Sequence, residues 1–163
     1  RQTIQKRHMQ QAMHDIIIPL ISALHFYIVH RLLHVPFLYR LAHALHHRNV
    51  VTGPWSGISM HPVEHVFYLS AVLVHFVIPS HPVHVLFHFY WLTLGAAGTH
   101  CGFKAIVIGG REWFSLGSFY HQLHHRHFEC NYGNIEFPVD HWVGSSDDGT
   151  YGARKRLASR KPA

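Results

Sequence analysis

Two apolar stretches, residues 66–79 (VFYLSAVLVHFVIP) and 83–98 (VHVLFHFYWLTLGAAG), meet at Pro79-Ser80-His81-Pro82. A connection this short leaves room only for a tight antiparallel hairpin. Spanning a bilayer takes about 20 apolar residues, with a range of about 17–25. Each arm reaches the lower end of that range when counted from Val63 or His81, polar tips included. The two arms read as short membrane helices, the alternative being a buried hairpin in a soluble core. Composition favours the membrane: 48% of the chain is apolar and only 13% charged, where a soluble domain carries about 25% charged residues. Low charge and 13% aromatics also argue against a disordered chain.

Around the hairpin lie further helical segments. Residues 16–29 (IIIPLISALHFYIV) are apolar except for Ser22 and His25, continue as helix-compatible sequence through His34, and stop before Pro36. Residues 37–48 suit a second helix, and NVVTGPWSG after them is a loop. His61-Pro62 begins the helix that leads into the hairpin. Beyond Gly98 the glycines at 102, 109, 110 and 117 predict irregular or short-helical structure, and residues 118–128 (SFYHQLHHRHF) predict another helix. From Cys130 onward the chain reads as loop. Residues 1–15 are polar and basic, without an apolar face long enough to bury. The predicted organisation is one domain over residues 1–150 and a basic tail over 151–163.

Two crossings return the chain to the side it left, so the segments before Val66 and after Gly98 share one membrane face. No Lys or Arg lies between Glu64 and Gly98, while Arg31, Arg40, Arg48, Lys104, Arg111, Arg126 and the tail fall on the shared side. The positive-inside rule makes that side cytoplasmic. If 16–34 also spans, Arg1, Lys6 and Arg7 fall on the opposite face, so that segment lies partly in the interface or follows an upstream helix.

On that face the chain concentrates its histidines. There are 20 in 163 residues, more than its 14 Lys+Arg or its 8 Asp+Glu, and the net charge is +6 with histidine neutral. Three groups stand out: His30-Arg-Leu-Leu-His34, His43-Ala-Leu-His46-His47 and His121-Gln-Leu-His124-His125. On a helix, residues i and i+4 lie about 40° apart and i+3 about 60° the other way. Each group therefore points its imidazoles into one stripe or a narrow arc. Neutral imidazole suits Fe, Zn, Cu and Ni and adds no charge to the site. Eight such side chains are too many for one ion and enough for two with an exchangeable position left over.

The acids limit the chemistry further. No Glu-x-x-His pair of the carboxylate-bridged bundles occurs, nor the His-Glu-x-x-His of zinc proteases. Two cysteines, Cys101 and Cys130, exclude a disulfide scaffold. A flavin or nicotinamide fingerprint is also missing.

In order and spacing these boxes resemble the fatty acid hydroxylase / sterol desaturase superfamily of integral-membrane di-iron oxidases, most closely its sterol desaturase branch. FYIVHRLLH (26–34), HPVEH (61–65), THCGF (99–103) and HHRHFECNYG (124–133) support the resemblance across about residues 20–150. FPVDHWVGS (137–145) is similar to the family's closing Trp-Asp-x-x-x-Gly-Thr region, but Trp142 follows Asp140 here, and the resemblance gives Asp140 no role. The family usually places one or two membrane helices before its first box; only 29 residues precede His30, a departure that leaves open whether the chain is complete.

The resemblance implies an all-α membrane bundle with a cytoplasmic helical cap carrying the boxes. Its ligand set is His30, His34, His43, His46, His47, His121, His124 and His125, with His100 as one more. The cofactor implied is two non-haem irons, which zinc could replace in a purified sample. The activity implied is O2-dependent hydroxylation or desaturation of a sterol, fatty acyl or carotenoid lipid drawn from the bilayer. An external reductase or small redox carrier would supply electrons. His61 and Glu64 are candidates either for orienting ligand imidazoles or for starting a helix. The basic tail fits anionic lipid headgroups, and no motif for nucleic acid accompanies it. The alternative function is a histidine-rich metal transporter or metal-binding protein, which would place ionisable residues at mid-membrane depth on several helices.

Overall fold

A computed structural model describes residues 11, 13–135 and 137–159, and these are mostly helical. A wide π turn, Met13–Ile17, runs into helix α1, Ile18–Leu33, with Pro19 in the first turn, where a missing N–H costs nothing. His14–Leu33 is long and apolar enough to cross a membrane. Pro36 ends this run by forcing Val35 into an extended conformation, φ −62° and ψ 133°. Helix α2 starts at once as Pro36–Leu38, widens through the π turn Tyr39–His43, and closes as Ala44–His46.

The hairpin follows a 3-10 turn, Pro54–Ile58. Its first arm is α3, Pro62–Leu69, which tightens to 3-10 over Ser70–Phe76; its second is α4, Pro82–Thr99. Both arms open on a His-Pro pair in which the histidine caps the helix: His61 Nδ1 accepts from the Val63 N–H and His81 Nδ1 from the Val83 N–H, each at 3.2 Å. Two serines and two histidines inside the bundle bond in a chain. Ser22 Oγ lies 2.8 Å from His88 Nε2, His88 Nδ1 lies 3.1 Å from His75 Nε2, and His75 Nδ1 lies 2.6 Å from Ser80 Oγ.

The structure corrects the sequence reading after Gly98. Residues 105–115 form an antiparallel hairpin of β1, Ala105–Ile108, and β2, Arg111–Ser115. Gly109 and Gly110 both take left-handed φ, 58° and 78°, the geometry that a two-residue hairpin turn demands. Helix α5, Gly117–His127, lies where expected. The region beyond Cys130 also departs from the loop and tail expected. It carries a short α6, Val139–Val143, and α7, Tyr151–Ala158, whose first turn is capped by Thr150 Oγ1 accepting from the Ala153 N–H at 3.2 Å. Residues 160–163 of the tail and residues 1–10, with Arg1, Lys6 and Arg7, lie outside the described residues.

Polarity is distributed inside out. The most completely buried large side chains include His43, His124, His125, Asn131, Asp140 and Asp147. Apolar side chains cover the outside, with Phe87, Leu94 and Phe76 exposed by 66%, 70% and 89%. Water-soluble domains rarely leave this many large apolar side chains open to solvent.

Close packing fixes the loop before the hairpin against α4. Gly57 is buried, and a Cβ there would overlap the Ala96 carbonyl. Gly57→Ala is expected to cost about 1–3 kcal/mol through overpacking, read as a lower unfolding midpoint. Gly53→Ala is the control, because nothing lies within 4 Å of its Cβ position.

Candidate metal centre

The three sequence boxes and His100 converge on two adjoining clusters. One contains His30, His34, His43, His47 and His124; the other contains His46, His100, His121 and His125. In each cluster the nearest ring nitrogens of all members lie within 4.8 Å of one another. The i, i+4 pairs stay together, as helical geometry requires: 30 with 34, 43 with 47, and 121 with 125. The i+3 members cross over, so His46 and His124 each join the cluster opposite their neighbours. The clusters abut where His47 stacks on His125, with ring centroids 4.6 Å apart.

Backbone and side-chain acceptors fix the tautomers. His30 Nδ1 donates to the Tyr132 carbonyl at 2.6 Å, His124 Nδ1 to the Cys130 carbonyl at 2.6 Å, and His43 Nδ1 to Glu64 Oε1 at 2.7 Å. In the second cluster His46 Nδ1 donates to the Ser59 carbonyl at 3.3 Å and His100 Nδ1 to the Ala96 carbonyl at 2.6 Å. Burial pushes these imidazoles toward the neutral form, helped by repulsion between neighbouring rings. His46 is lowered to about 3 and His100 to about 4. His43, His47, His121 and His124 are also held well below the ordinary imidazole range, by burial first and adjacent histidines second.

These facts amount to a test for a cation. A neutral imidazole has one N–H, and in His46 and His100 it is spent at Nδ1. Their Nε2 lone pairs nevertheless face each other at 3.2 Å. In the first cluster, His43 and His124 likewise turn lone pairs on His34 and His47 at 3.0–3.1 Å. Nitrogens bound at about 2.1 Å to one ion lie roughly 3.0–3.4 Å apart. The donor set and its spacing fit one metal ion in each cluster.

An apolar cavity of about 320 Å³ ends on the histidines, within the usual size range of small-molecule sites. Phe26, Val29, Leu33, Tyr68, Trp91 and Leu92 line its walls; His30, His43, His46, His100 and His121 line its floor. The Tyr68 hydroxyl is spent within the wall, donating to the Leu92 carbonyl at 2.8 Å.

Of the two accessory candidates, Glu64 is buried against His43 as an orienting group would be, while His61 spends Nδ1 on the start of α3. Asp140, to which sequence reasoning gave no role, is 1% exposed and holds the loop bearing the Tyr132 and Cys130 carbonyls. A buried Asp seven to eight residues after Tyr132-Gly133 carries no local pattern that would have announced it.

Comparison with known proteins agrees with this chemistry. The chain is 31% identical over 137 residues to the Delta(7)-sterol 5(6)-desaturase ERG3B of Gibberella zeae, covering 82% of this chain and 42% of that protein. The Delta(7)-sterol 5(6)-desaturase ERG3 of Saccharomyces cerevisiae is 30% identical over 143 residues, covering 81% and 36%. Sphinganine C4-monooxygenase 2 of Arabidopsis thaliana is 28% identical over 109 residues, covering 65% and 42%. The chain thus spans about two-fifths of the length of these curated relatives. No solved structure matches it. The fatty acid hydroxylase family model matches residues 16–145, and the chain belongs to that family.

Proposed function

We propose that this chain is the catalytic part of a membrane-bound non-haem di-iron oxidase that hydroxylates or desaturates a lipid. The observation that carries the reading is the facing of hydrogen-free ring nitrogens, as in His46 and His100, on the floor of an apolar cavity. One iron would be held by His30, His34, His43, His47 and His124, the other by His46, His100, His121 and His125. When bound, the pair would supply O2 activation and the oxidising power to attack an unactivated C–H bond.

The chain's own residues would do the rest. Glu64 and the Tyr132, Cys130, Ser59 and Ala96 carbonyls hold ligand Nδ1–H groups, so that Nε2 faces inward as a lone pair. Burial of all these ligands but the half-buried His34 keeps water from the reacting centre. Phe26, Leu33, Trp91 and Leu92 would grip a hydrocarbon chain or ring system without polar anchors. The two sterol desaturases among the relatives favour a sterol, with fatty acyl and carotenoid lipids as the other candidates.

The inside-out surface supports a bundle embedded in lipid, with the arms Pro62–Phe76 and Pro82–Thr99 as a short hairpin and His14–Leu33 crossing beside them. Positive residues flanking the hairpin support a cytoplasmic position for the clusters. Electrons would come from a separate reductase or small redox carrier. A transporter reading is not favoured: the clusters sit at one end of the hairpin, and the histidines within it bond to serines and to each other.

Iron analysis of the purified protein, paired with lipid mass spectrometry of cells expressing it, tests the proposal. Two irons per chain are expected, with a lipid that has gained one oxygen atom or lost two hydrogen atoms, and turnover only when an electron donor is supplied. Two bound metals with no altered lipid under any donor would sink the oxidase reading.

A further inference from the structure

The carboxylate of Asp140 sits on the far side of a single peptide unit from a cluster imidazole. Asp140 Oδ2 accepts from the Gly133 N–H at 2.6 Å. The carbonyl of that same peptide, Tyr132 O, accepts from His30 Nδ1 at 2.6 Å. Asp140 Oδ1 accepts from the Tyr132 N–H at 3.0 Å and from Ser145 Oγ at 2.6 Å. Two residues earlier on the same strand of loop, the Cys130 carbonyl accepts from His124 Nδ1. One buried carboxylate therefore fixes the segment that holds two histidines of the same cluster.

We propose that Asp140 is a positioning residue for the first cluster, acting on His30 through the 132–133 peptide and on His124 through the loop it anchors. This rests on reading His30 and His124 as metal ligands. A carboxylate bonded to a peptide N–H makes the opposite carbonyl a better acceptor, because hydrogen bonds in a chain polarise one another. The stronger acceptor draws the His30 Nδ1 proton, raises the basicity of Nε2, and locks the ring plane. His43 receives the same treatment directly from Glu64. The first cluster thus has two carboxylate-backed imidazoles. Among the described residues, the second cluster's acceptors at Nδ1 are backbone carbonyls and the Thr99 hydroxyl. The two metal positions are chemically unequal, and Asp140 contributes to the difference.

The geometry leaves little room for substitutes. A Cβ at Gly133 would meet Asp140 Oδ2 and Tyr27 Cδ2, each at 3.2 Å, so the loop lies tight between the carboxylate and α1. In Asp140→Asn an amide N–H₂ would replace one acceptor and confront a donor, either Gly133 N–H or the Tyr132 N–H and Ser145 hydroxyl.

The test is cobalt(II) binding to the detergent-solubilised full chain, followed by visible absorption and by chelator competition. Wild type is expected to bind two cobalt ions, and Asp140→Asn to hold one of them about 10–100-fold more weakly. At a chelator concentration between the two affinities, Asp140→Asn should keep one ion. Adding His121→Ala to it should leave none, and adding His34→Ala should leave one. Ser145→Ala, which keeps the carboxylate and its backbone bonds, should weaken the same ion several-fold and decides the matter if Asp140→Asn does not fold. Equal weakening of both ions in a cooperatively folded variant, or no weakening of either, overturns the positioning role while leaving the metal sites standing. A wild-type chain that binds no cobalt overturns both.

Discussion

Alanine at His124 is expected to abolish lipid oxidation and to remove one metal ion while leaving the other. This side chain is completely buried, and its Nε2 lies 3.1 Å from both His34 Nε2 and His47 Nε2. Removing it deletes a donor from the middle of the first cluster and takes away the Nδ1–H that the Cys130 carbonyl accepts at 2.6 Å. Losing an outer hydrogen-bonding partner usually costs about 10–100-fold in metal affinity or activity, so loss of a donor atom itself should exceed that range. Both ions are needed for the oxidation proposed, so product should fall to background although half the metal remains. His121→Ala should give the mirror result, emptying the second cluster and sparing the first. His127→Ala is the control, being an exposed histidine on the same helix. Metal analysis and product quantification on the three variants check this, and full product from His124→Ala would overturn the ligand assignment.

Much of this site was legible because helical periodicity works at short range. The boxes at 30–34, 43–47 and 121–125 could be read as inward-facing stripes from spacing alone, and the hairpin followed from four residues between two apolar runs. Which cluster each ring joins was not legible. His46 and His124 part from their helical neighbours through the tertiary placement of α2 and α5, which spacing along one helix does not carry. Glu64 meets His43 across 21 residues and Asp140 meets the 130–133 loop around a bend, so neither contact leaves a local trace. The β-hairpin was missed for a different reason. Glycine abundance after Gly98 suggested irregular chain, but Gly109-Gly110 between the β-branched run Ile106-Val107-Ile108 and Arg111-Glu112-Trp113-Phe114 is a turn signal with a definite geometry. Helix α7 was hidden by its charge: a basic tail and a capped basic helix differ only in Thr150 and in the burial of Ala153.

Acidifying the metal-free protein from pH 7.5 to pH 5.5 is expected to remove on the order of 5 kcal/mol of folding stability through His34, His46, His100 and His125 alone. Unfolded histidine titrates near 6.5. Burial, reinforced by neighbouring rings, holds His34 and His125 to about 2 and His46 to about 3, and burial alone holds His100 to about 4. The sign follows from proton counting. Above 6.5 all four are neutral in both states and pH has no leverage. Below 6.5 the unfolded chain takes up protons that the folded chain refuses, so stability falls with pH, and the slope ends only near the folded values of about 4 to 2. At pH 5.5, one unit below the unfolded value, each histidine contributes about 1.4 kcal/mol to the loss. Four together approach the whole stability of a typical domain, about 5–15 kcal/mol. Binding metal holds the same nitrogens in the unprotonated folded state and adds its own stabilisation. The loaded protein should therefore unfold at a distinctly lower pH than the chelator-stripped one. Equilibrium unfolding in mixed micelles across pH 7.5 to 4.5, with and without metal, measures both curves. Flat stability of the stripped protein down to pH 5 would mean that the imidazoles reach water in the folded state, and with it the closed, water-free clusters would be lost.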